Sequence, residues 1–217
     1  MGMTGDPIAT AEERKVGSDR LVYILIYANA FVLGAVVMGF EMLGSRYLNP
    51  YFGGSVNTWA AIISSVLMAL MLGYYAGGWL ADRAPSARVL GTCIFVGAVY
   101  LGMTPILADF FLERIWLQFG DGLPALLTAS CLLFVVPVLF LGMYLPFSVR
   151  LVLRSVASTG RITGGLYAVS TLGSVFGTLL TTFVLIPAVG TRAITYIAAI
   201  VVVISALSLW TIKKTQR

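Results

Sequence analysis

The stretch GFEMLGSRYLNPYFGGS, residues 39–55, places a carboxylate, Glu41, inside an apolar run and sets Arg46 five residues beyond it. Two chemistries fit that arrangement. In the first, Glu41 and Arg46 form an interfacial ion pair. Five residues is an imperfect offset for one helical face, so the pairing asks the helix to unwind at Gly44. In the second, Glu41 belongs to a cation site together with aromatic faces, which attract ammonium groups without a full counter-charge. Tyr47, Tyr51 and Trp59 follow it on the same side, and Tyr74 and Tyr167 are placed to face it from other helices. An aromatic belt at a membrane interface accounts for the same residues equally well.

Other reaction chemistry is harder to assemble. The chain has no histidine, which removes the commonest metal ligand and the usual general base near neutral pH. Its two cysteines, Cys93 and Cys131, lie in apolar runs at a spacing that matches no zinc or haem motif, and read as buried structural thiols. No nucleophile–base pair stands out. The expectation is therefore no metal, no cofactor and no catalytic residue.

The elements that position Glu41 follow from composition. Of 217 residues, 59% are hydrophobic and only 11% charged, with polar surface too scarce to cover a globule in water. A window of about nineteen residues, the length that spans the hydrocarbon core of a bilayer, marks six helices. They fall near 21–45, 58–80, 88–108, 123–149, 164–187 and 192–212. The predicted fold is an all-α integral membrane protein, a six-transmembrane-helix bundle over 21–212. A polar tail precedes it at 1–20 and a basic tail follows at 213–217. The opening is too long and too acidic for a signal-peptide n-region and is expected to stay with the mature chain.

Orientation follows from the basic residues. Arg14, Lys15, Arg20, Arg83, Arg88, Arg150, Arg154, Arg161, Lys213, Lys214 and Arg217 fall on one side of such a bundle, and only Arg46, Arg114 and Arg192 on the other. The positive-inside rule then puts both termini in the cytoplasm. The net charge of +5 is a topology signal and needs no nucleic-acid partner.

Two helices share a spacing. Gly73 and Gly77 in the second, and Gly173 and Gly177 in the fifth, form GxxxG pairs whose bare faces admit close helix packing. Each is the middle helix of a set of three. A duplicated three-helix unit inserts upside down the second time, so the spacing fits two inverted repeats; independent packing contacts explain it as well, and no residue-by-residue repeat accompanies it. A homodimer through a glycine face is a further use of the same residues. Pro105, Pro137 and Pro146 predict kinks within the spans.

Two resemblances bear on function. GYYAGGWLADRAPSAR, residues 73–88, is similar to the loop between the second and third helices of major facilitator transporters, without that motif's closing glycine. Physically, Asp82 and Arg83 at a helix end are expected to pair with a neighbouring loop, for example Arg154 or Arg161. More of the chain, residues 36–192, resembles the membrane-embedded region of the membrane-bound spermidine synthase-like proteins, often described as fused transporter and spermidine synthase. FEMLGSRYLNPYFGGSVNTW, LMLGYYAGGWLADR and GRITGGLYAVSTLGSVFGTLLTTFVLIPAVGT carry it, in that order. The resemblance implies a link with polyamines and marks Glu41, Arg46, Asp82, Arg83, Arg161, Tyr167, Gly173 and Gly177 among its motif positions.

That family typically joins its membrane region to a soluble aminopropyltransferase domain. Such a domain needs a glycine-rich loop after a strand to hold the donor, and acidic groups to hold the amine. Phe119-Gly-Asp-Gly122 is the nearest lookalike, and it reads as a turn. The chain alone is expected not to make polyamines. Its expected place is a bacterial inner (plasma) membrane, as a binder or transporter of polyamines or related cations. The alternative is a non-catalytic accessory subunit that docks a separately encoded synthase or joins a larger membrane complex.

Overall fold

The computed structural model describes residues 7–153 and 159–212, with side chains from residue 20 onward. The side chains of Arg14 and Lys15, all of Arg154, and the tail 213–217 lie outside the described residues. The described chain is all-helical, and six of its helical segments are long and apolar enough to cross a membrane. These are the length and composition of a multi-pass integral membrane protein. Helix α1 runs Pro7–Phe52, α2 Val56–Arg83, α3 Ala87–Phe119, α4 Leu123–Gly142 and α5 Tyr144–Val152. Helix α6 runs Thr159–Leu180 and continues through a π-helical segment, Thr181–Leu185, into the short α7, Ile186–Ala188; α8 is Thr191–Thr211. The fourth span thus joins α4 to α5, and the fifth joins α6 to α7.

Several helices outrun their apolar windows. Helix α1 begins fourteen residues before the expected start, inside the stretch read as a polar tail, and passes Gly44 and Tyr47 without unwinding. It stops where Gly53, at φ 72°, turns left-handed and donates to the Asn49 carbonyl. Hydropathy marks where a helix is greasy, whereas a residue free to adopt positive φ marks where it ends. Gly120, also at φ 72°, ends α3 in the same way, so the Phe119–Gly122 stretch is a turn.

The prolines act unevenly. Pro105 and Pro137 are absorbed within α3 and α4. Pro146 cannot donate to Gly142, and the fourth span breaks one residue later, at Met143. Pro187 follows the π-helical segment, where Ile186 donates five residues back, to Thr181.

Glycines fix the helix pairs. A Cβ at Gly173 would collide with the Phe31 backbone and one at Gly177 with the Ala35 backbone, while Gly34 lies against the Ser170 carbonyl. Contacts that rise together in number mean that α1 and α6 run parallel. Gly73 meets the Leu139 carbonyl, Gly77 the backbone of Met143 and Gly142 that of Leu70, so α2 runs parallel to the α4–α5 span. Helix α8 packs antiparallel on α3, with Gly91 under the Trp210 ring and Gly102 beside Ala199. Gly73, Gly77, Gly173 and Gly177 are all covered within the chain, so these faces serve packing inside the bundle.

In lipid, helix association rests on close packing more than on apolar burial, since acyl chains are as apolar as leucine. Gly173→Ala and Gly177→Ala are therefore each expected to destabilise the bundle by about 1–3 kcal/mol, the usual effect of overpacking. Gly164→Ala, whose Cβ meets nothing within 4 Å, is expected to be neutral or mildly stabilising. Denaturant unfolding in mixed micelles measures all three.

Candidate functional site

The spans meet around a half-open cavity of about 70 Å³ lined by α1, α2, the α4–α5 junction and α6. By the measure on which one water needs about 10–15 Å³, it holds roughly five waters or a compact solute. Helix α1 contributes Leu33, Gly34 and Val37, and the α4–α5 junction contributes Leu141, Gly142 and Leu145. Polar groups come from the flanking helices: Tyr74 from α2, Ser170 and Ser174 from α6. The Ser174 hydroxyl donates within its own neighbourhood, 3.1 Å from the Ser170 carbonyl and 3.3 Å from that of Gly34. Its oxygen is left to accept. Tyr144, fully buried beside the cavity, spends its hydroxyl on the Ile26 carbonyl at 2.7 Å and ties α5 to α1. Tyr74 meets the Tyr167 ring edge-on, with centroids 6.5 Å apart, across the gap between α2 and α6.

Glu41 belongs to the same face of α1. It lies one turn beyond Val37 and two beyond Gly34, about 10 Å further along the axis at 1.5 Å per residue. It is only 8% exposed, yet among the described residues no hydrogen bond or ion pair reaches its carboxylate. Arg46, exposed and on an unbroken helix, does not pair with it; the ion-pair expectation required an unwinding at Gly44 that the helix does not make.

The aromatic residues expected around Glu41 divide. Tyr74 lines the cavity, and Tyr167, outside its lining, meets the Tyr74 ring. Tyr47 turns to the other side of α1 and shares a hydrogen bond of 2.8 Å with Thr195 of α8. Tyr51 packs against the Phe52 ring in the last turn of α1, about 15 Å beyond Glu41. Trp59 stands half-buried in the first turn of α2, and no polar or ring contact joins it to Glu41. Equal position along a helix axis does not give equal direction around it, and that is where the sequence grouping fails.

Charge pairs sit at the bundle's ends. Asp82 meets Arg150 at 3.5 Å, both well exposed, and Arg83 stacks 3.6 Å over the Trp79 ring. Arg161 is exposed in the first turn of α6. The shorter pair is Arg192 donating to Asp109 at 2.6 Å, which links α8 to α3 at the opposite end. Its partners are 83 residues apart in sequence, beyond any local pattern. Buried Asn29, donating to Ser208 at 2.9 Å, was likewise hidden among apolar neighbours. Within the π-helical segment, the Thr182 hydroxyl is buried without a partner among the described residues; such segments often mark functional positions.

Cys93 and Cys131 are free and partly buried, the latter 3.6 Å from the Ser65 hydroxyl. Among the described residues no group of histidine, cysteine or acidic side chains could hold a metal. Tyr47→Phe is expected to lower stability by about 0.6 kcal/mol, the average for a hydrogen bond between membrane helices. The same unfolding assay reads it, and unchanged cavity-side behaviour is expected because Tyr47 faces α8.

Compared with protein-family models, curated proteins and solved structures, the chain matches none of them, so the likeness to spermidine synthase-like membrane regions rests on the quoted residues alone.

Proposed function

We propose that this chain binds or carries a polyamine or related organic cation across a bacterial inner membrane, as a non-catalytic bundle of two inverted three-helix halves with both termini in the cytoplasm. One observation carries the reading: Glu41, nine-tenths buried in a span, has no donor partner among the described residues and shares a helix face with the cavity. A charged side chain inside a membrane span is disfavoured by about 2.5–3.5 kcal/mol on insertion scales, and such groups normally face a partner or a solute path. A cationic ligand would supply the missing partner, and the Tyr74 and Tyr167 rings supply faces along its route.

The orientation is supported by the basic residues that cluster at one end of the alternating spans, among them Arg20, Arg83, Arg88 and Arg150. The inverted halves are supported by helix pairing. The second span packs parallel on the fourth through Gly73 and Gly77, as the fifth packs parallel on the first through Gly173 and Gly177.

A second reading has its own support. The fifth span, α6 with its π-helical continuation, is the least covered of the six and carries an exposed apolar row, Leu172, Val175, Phe176, Leu179 and Phe183. Lipid covers such a row, and so does another membrane subunit, as in an accessory protein docked to a separate synthase or a larger complex.

Equilibrium binding of radiolabelled spermidine to the purified protein separates the two. Glu41→Gln is expected to weaken binding at least tenfold with the unfolding profile preserved. Equal binding by the folded variant removes the cation site, and a second protein purifying in fixed proportion, without spermidine binding, establishes the accessory role.

A further inference from the structure

The contacts around the cavity obey one numerical rule. Adding 100 to Leu70, Gly73 and Gly77 of α2 gives Ser170, Gly173 and Gly177 of α6. Subtracting 108 from Leu139, Gly142 and Met143 of the α4–α5 span gives Phe31, Gly34 and Ala35 of α1. Under those two shifts the contact of Gly73 with Leu139 becomes that of Gly173 with Phe31, Gly77 with Met143 becomes Gly177 with Ala35, and Gly142 with Leu70 becomes Gly34 with Ser170. Three contacts and six residues map with two constants. The α1 and α4–α5 spans run in opposite directions, so the operation relating them is a twofold axis lying across the helices, in the plane of the membrane. The antiparallel pair of α3 and α8 maps onto itself under the same operation.

The cavity straddles that axis. Most of its lining residues fall into equivalent pairs, among them Leu33 with Leu141, Gly34 with Gly142, Leu70 with Ser170, and Tyr74 with Ser174, while Ala30, Met38 and Tyr144 have no lining counterpart. The two halves are alike in backbone and unlike in side chain. On the α2 side the cavity offers the Tyr74 hydroxyl, for which no hydrogen bond occurs among the described residues. On the α6 side it offers the Ser174 oxygen as an acceptor.

Two copies of one arrangement can exchange their small differences. Tyr74 and Tyr167, in contact across the gap between α2 and α6, map onto Ser174 and Leu67. In this structure Leu67 is 60% exposed and Tyr167 39%, so the two equivalent positions are not alike. We infer that the cavity on the twofold is the solute site, taking a compact N–H-bearing solute or the end of a longer one. Its access alternates as the halves exchange conformations, the Tyr74–Tyr167 contact closing one side and an approach of Leu67 to Ser174 closing the other. The inference rests on the transport reading for its purpose and on the glycine contacts for its geometry. Inverted repeats around a site near the middle of the bilayer are a recurrent basis for alternating access.

The test uses the full chain in proteoliposomes, with Cys93→Ser and Cys131→Ser to remove the native thiols. Tyr74→Cys with Tyr167→Cys, and separately Leu67→Cys with Ser174→Cys, are treated with a short bis-methanethiosulfonate. Each variant is first checked for parental elution on size exclusion. Both pairs are expected to cross-link. In the four-cysteine chain, locking the first pair is expected to lower cross-linking of the second at least tenfold. Cross-linking of the first pair alone, or of neither, overturns the exchange, as does locking that leaves the second pair unaffected. Flux of radiolabelled spermidine, measured alongside, keeps the claims apart. Flux with only one pair cross-linking refutes the exchange and leaves transport standing; two mutually exclusive cross-links without flux do the reverse.

Discussion

Backbone meets backbone along two helix pairs in this bundle, and the rest of the structure depends on it. At Gly173 and Gly177 the α6 chain lies directly on the backbone of α1, and at Gly73 and Gly77 the α2 chain lies on that of the α4–α5 span. No side chain larger than hydrogen fits there. Inside a bilayer the hydrophobic effect does little to hold one helix to another, and attraction comes from the many short contacts such approaches allow. The pairs then fix where the cavity falls. With α1 and the α4–α5 span each held tightly on one side, the cavity between them is lined by Leu33, Gly34, Leu141, Gly142 and Tyr144.

Polar groups are arranged around that frame with different degrees of satisfaction. Tyr144, Asn29 and Tyr47 each hand a hydrogen bond to another helix and so tie α1 to α5 or α8. Their partners make them structural. Glu41 is the contrast, equally buried and without a donor. Its oxygens are not among the fully buried unpartnered atoms, so the carboxylate keeps some access of its own, and a carboxylate in an apolar span is tolerated only where something offsets its desolvation. Its place two turns along from Gly34, on the cavity's own face, gives that offset a direction. The ion pairs at the ends, Asp82 with Arg150 and Asp109 with Arg192, are exposed enough that water screens them, and they contribute little beyond fixing side-chain positions.

Much of the architecture was legible in the residues, for reasons that mark where legibility stops. Six apolar runs give six spans because length and hydropathy are local properties. The ends of α1 and α3 were not legible from hydropathy, since Gly53 and Gly120 terminate helices that continue well past their apolar windows. The glycine pairs were visible as spacing, yet which helix each would meet was not. The relation between halves also leaves a faint local trace, a Leu-Gly step at 33–34 and 141–142 and another at 72–73 and 172–173. Two residues recurring at unequal intervals are too little to notice until the contacts pair them. The site was half legible: Glu41 and Tyr74 stood out by type, whereas Ser170 and Ser174 looked like ordinary small residues of a membrane helix. Grouping Tyr47 and Tyr51 with Glu41 failed because a helix turns about 100° per residue, and position along the chain says nothing of direction around it.

The most direct measurement is solid-state NMR of the isotope-labelled chain in lipid bilayers, reading through-space contacts between backbone carbons. The account predicts cross-peaks of short range between Gly173 and Phe31 and between Gly73 and Leu139 in the same sample. Absence of either, with both residues assigned and helical, contradicts it, because neither the cavity nor the correspondence between halves survives the loss of one backbone contact.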